Sequence, residues 1–116
     1  MANTGDYGGQ CVIYVNNYFG KKLGVMTAAE VWTSSNVNQL SEPMSGSIAC
    51  WSGGSKGYGH VGVVESWSRK SKTMTFSDSN RSGDELVIKN KKITEETMKG
   101  FFGPSYTFQG YVKFKN

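Results

Sequence analysis

The sequence predicts an α+β domain, with helices first and a run of antiparallel strands after them. Three observations carry this reading. Apolar residues recur at helical spacing near the start: Cys11, Val15 and Tyr18 fall at i, i+4, i+7, and Val12, Val15 and Phe19 at i, i+3, i+7. From Pro43 onward the period shortens to two. Turn chemistry separates the later segments, which are expected to form an antiparallel sheet with the N-terminal helices packed on it.

The first helix runs from about Cys11 and stops at Gly20, a residue suited to a helix end. Thr27-Ala28-Ala29-Glu30 has the S/T-x-x-E spacing of a capping box and opens a second short helix through Val31 and Trp32. The polar stretch 33–38 then breaks the helical pattern. Residues 47–51, 60–67, 72–77, 85–89 and 108–114 read as strands. Glycines 53, 54, 57 and 59, and the run Arg81-Ser82-Gly83-Asp84, supply the connections. Thr94-Glu95-Glu96 starts one more helical turn, its acids suiting a positive helix N-terminus.

At 116 residues, the chain is expected to form a single domain over its whole length, 1–116. Thirteen Lys and Arg against nine Asp and Glu leave a net charge of +4, which suits a polyanionic neighbour: nucleic acid, a membrane surface or an anionic wall polymer. The basic residues are scattered in pairs, with no basic helix and no RNA-binding signature, which argues against a nucleic-acid module. A solvated surface explains the same charge. No segment has the length of a membrane span, and the first residues lack the basic and apolar regions of a secretory signal. A protein of this kind acting outside a cytoplasm is released by another route, or the segment is one domain of a longer chain.

Cysteine chemistry at neutral pH needs a thiolate, and a helix N-terminus and a nearby imidazolium both favour one. Cys11 opens the first helix, where unpaired backbone N–H groups also face a developing oxyanion. The single histidine, His60, sits between a glycine-rich loop and the apolar strand that follows. A third group must fix the ring, and on the next strand Phe76, Asp78 and Asn80 share a face if the strand stays regular. Either polar side chain could reach the imidazole. The order Cys, His, then acid or amide is that of papain-like enzymes. For Cys11 taken alone, a buried core position and a disulfide with Cys50 remain the rival readings.

The blocks "GQC" at a helix start, "PMSGSIACW", "GHVGVVE", "FSDSN" and "GYVKF" resemble, in order over residues 8–114, those of the CHAP domain, the cysteine, histidine-dependent amidohydrolase/peptidase. The resemblance implies a small papain-like fold and cleavage of an amide bond in bacterial peptidoglycan. The bond is either N-acetylmuramoyl-L-alanine or a stem or cross-bridge peptide bond, and the usual setting is the lytic domain of a phage endolysin or an autolysin. It implies Cys11 as nucleophile, His60 as general base and acid, Asp78 as orienting residue and Asn80 as auxiliary polar group. Peptidoglycan is the implied partner, with anionic wall polymers beside it and a separate wall-binding domain elsewhere. The implied protein is made in the host cytoplasm and acts on the wall. A catalytically silent wall-binding module on the same fold is the alternative.

The sequence departs from the family pattern in three places. Gly46-Ser47-Ile48 stands where Gly-Asp-Ile is usual, and Asp78 stands where glutamate is commoner, which leaves open whether Asp78 or Asn80 touches the ring. Some relatives bind calcium before the cysteine, but Asp6 alone offers too few oxygens, so no metal and no cofactor are expected. Gln10 is a candidate oxyanion donor or a helix-end residue. Trp51 and Tyr58 flank the glycine loop as candidate substrate contacts, with a core role as the other reading of Trp51. Cys50, in the apolar run Ile48-Ala49-Cys50-Trp51, reads as a packed core residue.

Overall fold

The computed structural model describes residues 9–54, 57–79, 87–100 and 103–115. Helix α1 (Gly9–Phe19) is followed by a 3-10 helix (Ala28–Thr33) and then by strands β1 (Val37–Leu40), β2 (Ser47–Gly53), β3 (His60–Ser68), β4 (Thr73–Ser79) and β5 (Val87–Thr94). A short helix α2 (Glu95–Lys99) and strand β6 (Tyr106–Phe114) complete the chain. The strands form one six-stranded sheet in the order β1-β6-β2-β3-β4-β5, and every neighbouring pair is antiparallel. The α+β architecture expected from the sequence is the observed one, consistent with a papain-like fold.

Each helix end has a local cause. Gly20 takes φ +65°, and the Lys21 N–H bonds back to the Asn16 carbonyl, so α1 closes through a left-handed glycine. The Glu30 carboxylate accepts from the Thr27 N–H at 2.9 Å and the Met26 N–H at 2.8 Å, which fixes the entry to the second helix. That helix is 3-10 rather than α. In α2 the Thr94 hydroxyl accepts from the Thr97 N–H, with Glu95 and Glu96 in the first turn and Lys99 in the last.

Two apolar layers lie on opposite faces of the sheet. Cys11, Val12 and Val15 of α1 and Val31 of the 3-10 helix pack on Ile48, Cys50, Val61, Val63 and Val112. The other face gathers Ala49, Trp51, Val64, Met74, Phe76 and Tyr111, with Met98 of α2. Alternation along β2 assigns Ile48 and Cys50 to one layer and Ala49 and Trp51 to the other, as a strand period of two requires.

The strand reading needs two corrections. The helical pattern does end in the stretch 33–38, but the strand β1 that begins at Val37 has no counterpart in the sequence reading, because an edge strand with a single buried residue leaves little apolar signal. Strand β5 extends to Thr94, beyond the expected end at 89, because an edge strand tolerates Lys91 and Lys92. The start expected at Glu85 lies outside the described residues. No helix among the described residues is long and apolar enough to cross a membrane.

Candidate active site

Cys11 is the third residue of α1, so its backbone N–H is among the first four that have no intrahelical acceptor. The residue is 7% exposed and lies in the apolar layer. Helix α1 lies against β3 and β4, the two strands that carry the other candidates.

His60 is the first residue of β3 and pairs across the ladder with Trp51. The turn that delivers it is tight. Gly59 has φ +71°, and a Cβ there would lie 2.5 Å from the Trp51 carbonyl oxygen and 2.7 Å from the Ala29 nitrogen, so only glycine fits. The Ala29 N–H donates to the Tyr58 carbonyl at 2.7 Å, tying this turn to the 3-10 helix.

Asp78 completes the group. Its Oδ2 stands 2.8 Å from His60 Nε2, and both side chains are buried. The ladder between β4 and β5 shifts register between Phe76 and Asp78, a bulge of the kind that re-aims a side chain beside a site. Gly62 makes room: a Cβ there would run into the Phe76 ring and come within 3.0 Å of Asp78 Cβ. Sequence reading missed Gly62, because its role appears only when β3 lies beside β4.

The ring is also coupled electrostatically to Cys11. Nε2 is bonded to the carboxylate, and Nδ1 is the other ring nitrogen. Burial alone would push the His60 imidazolium down. The hydrogen bonds to Asp78 and Cys11, together with their charges, outweigh it and lift the ring from its ordinary 6.5 to about 9. This arrangement favours the protonated form of the His60 ring.

The remaining candidates separate. Trp51 is fully buried, packed at 5.8 Å on Phe76 and 5.3 Å on Phe108, with its ring 6.1 Å from that of His60. It supports His60 from the core and offers no surface to a substrate, which corrects its place among the substrate contacts. Tyr58 is 59% exposed beside the same turn. Asn80 and Asp6 lie outside the described residues, as does the side chain of Gln10. Cys11 and Cys50 are both free thiols, and burial pushes the Cys50 thiol up. Among the described residues no group of three His, Cys, Asp or Glu is placed to hold a metal ion.

A cysteine at a helix start, sharing one imidazole with a buried carboxylate, is suited to nucleophilic attack on a carbonyl. No curated protein matches the sequence at a significant level. The family model of the CHAP domain matches residues 1–80, a span that includes Cys11, His60 and Asp78. CHAP domains form a peptidoglycan-hydrolase-type family, generally cysteine/histidine amidohydrolases or peptidases, and this chain belongs to it.

Proposed function

We propose that the chain is a cysteine-dependent amidase or endopeptidase that cuts an amide bond of bacterial peptidoglycan. Cys11 is the nucleophile, His60 the general base and acid, and Asp78 the group that orients the ring. One observation carries the reading: the buried imidazole of His60 is bonded to Asp78 at 2.8 Å and is coupled electrostatically to Cys11 at the start of α1.

The chemistry follows from those contacts. His60, lifted to about 9, holds the proton at Nδ1, and the sulfur of Cys11 attacks the carbonyl carbon of the amide. Negative charge moves to the carbonyl oxygen, where backbone N–H groups at the start of α1 stabilise it. As the C–N bond breaks, the imidazolium gives its proton to the leaving nitrogen and a thioester remains. Water, deprotonated by His60, then attacks the thioester, and the sulfur leaves while the ring keeps the proton it has regained. Asp78 holds the ring in the tautomer that keeps Nδ1 toward sulfur and balances the imidazolium charge. Asn80 is an auxiliary polar group, and Tyr58 is positioned to contact substrate at the rim.

In this proposal the protein is the lytic domain of a phage endolysin, made in the bacterial host and acting on its wall. The net charge of +4 supports attraction to anionic wall polymers. The test is digestion of purified Gram-positive walls by the wild type and by Cys11→Ala, with mass spectrometry of the released fragments. Release that depends on Cys11 is expected, and the new amino termini identify the bond as muramoyl-alanine or peptide. No release from several wall types, with Cys11 reduced and the protein folded, would overturn the hydrolase in favour of a wall-binding module.

A further inference from the structure

Nucleophile and orienting acid sit on different elements, α1 and β4, and nothing covalent holds those elements in register near the site. Among the described residues a side-chain hydrogen bond joins them there. Tyr14, one turn along α1 from Cys11, donates its hydroxyl to Ser77 Oγ at 2.7 Å, across 63 positions of sequence. Ser77 is fully buried and adjoins Asp78 in β4. Its backbone pairs with Val63 of β3, the strand that begins with His60. One bond therefore touches the helix that carries the thiol and the strand that carries the carboxylate.

From this geometry we infer that Tyr14 and Ser77 form a positioning clamp that sets the approach of Cys11 to the His60–Asp78 pair. The inference rests on the reading of Cys11 as the nucleophile. The chemistry of the two groups suits a fixed strut. Burial raises the Tyr14 phenol above its ordinary 10.0, with the charges of Glu65, Tyr18 and Asp78 adding to the rise against the bond to Ser77, so the hydroxyl keeps its proton and remains a donor near neutrality. Tyr14 has only two rotatable side-chain bonds, and its ring is partly buried, so the hydroxyl cannot drift far from Ser77. A sub-ångström slip of α1 along β4 would lengthen the sulfur-to-imidazole contact, and effective catalysis depends on distances of that order.

The test uses Tyr14→Phe, which keeps the ring and the packing, and Ser77→Ala, which removes the acceptor. Reaction of the folded protein with iodoacetamide, followed across pH, reports Cys11 because Cys50 is fully buried, and Cys11→Ala supplies the blank. Each single variant is expected to slow alkylation at pH 7 about fivefold, the equivalent of one neutral hydrogen bond. The pH profile of alkylation should change as the sulfur moves away from the His60 ring, and kcat on walls should fall by the same factor with KM unchanged. The double variant should be no slower than the slower single variant, since both remove one bond. Alkylation rates and pH profiles equal to those of the wild type in both variants would overturn the clamp, as would additive losses in the double variant. Alkylation needs no substrate, so a wild type that alkylates at Cys11 but releases nothing from walls would refute the hydrolase and still decide the clamp.

Discussion

His60 Nε2 stands 2.8 Å from Asp78 Oδ2, with 6% and 0% of the two side chains exposed. A carboxylate without water around it must be matched by a partner that donates to it, and here that partner is the imidazole. The pair is therefore both a piece of the fold and the support of the site. Removing the carboxylate is expected to act on the reaction more than on the fold. Asp78→Ala should lower kcat about a hundredfold, within the range of a lost acid-base arrangement, and Ser77→Ala much less. Steady-state assay on solubilised peptidoglycan checks the order. An Asp78→Ala protein with full activity would move the orienting role to Asn80.

The same pair sets a pH dependence. The His60 ring is lifted to about 9 in the folded protein against an ordinary 6.5, so folding favours its protonated form. The stability it contributes is fully present below about pH 6.5 and is lost as pH rises through about 9. Thermal unfolding between pH 6 and pH 10 should show that loss in the wild type, and a shallower one in Asp78→Asn, where the ring has no carboxylate beside it. Under the proposed mechanism, activity should decline over the alkaline part of the same window, as the imidazolium assigned to protonate the leaving nitrogen disappears. A wild-type curve flat to pH 10 would remove the coupling.

Gly62 offers a steric test. Its missing side chain is the space that the Phe76 ring and Asp78 Cβ occupy, and Phe76 is fully buried and cannot swing away. Gly62→Ala should therefore cost about 1–3 kcal/mol as overpacking and should also displace Asp78 from His60. Urea denaturation reads the first effect. The pH profile of Cys11 alkylation reads the second, and a variant as stable as the wild type with an unchanged profile would contradict both.

The legible features of this chain were those written in short-range pattern. Cys11, Val12, Val15 and Phe19 mark α1 by spacing, Thr27 and Glu30 mark the 3-10 helix by their capping geometry, and Thr94 with two glutamates marks α2. Val37–Leu40 was hidden because an edge strand with one buried residue has no alternation to read. Trp51 was ambiguous for a related reason. A strand buried on both faces gives no hint of which face a residue occupies, and the pairing with Phe108 and His60 decides it. Gly62 and the Tyr14–Ser77 bond depend on elements that meet only in the folded sheet, so no local motif encodes them.

The two cysteines allow a contrast between like side chains in unlike surroundings. Cys50 lies in the centre of β2 with no exposed surface, its sulfur 3.9 Å from the Ile48 carbonyl oxygen, whereas Cys11 keeps 7% exposure and an imidazole partner. Burial holds the Cys50 thiol protonated, so it should resist iodoacetamide until the protein unfolds. Cys50→Ala removes one buried sulfur and leaves a small cavity, at a cost of about 1 kcal/mol, with wall lysis retained. Cys50→Ser should cost more, because its hydroxyl enters an apolar layer where a poorly matched donor is penalised by about 1–3 kcal/mol. Urea midpoints of the two variants, compared at constant slope, test the ranking. Loss of lysis in a fully folded Cys50→Ala protein would show that the second thiol takes part in the reaction after all.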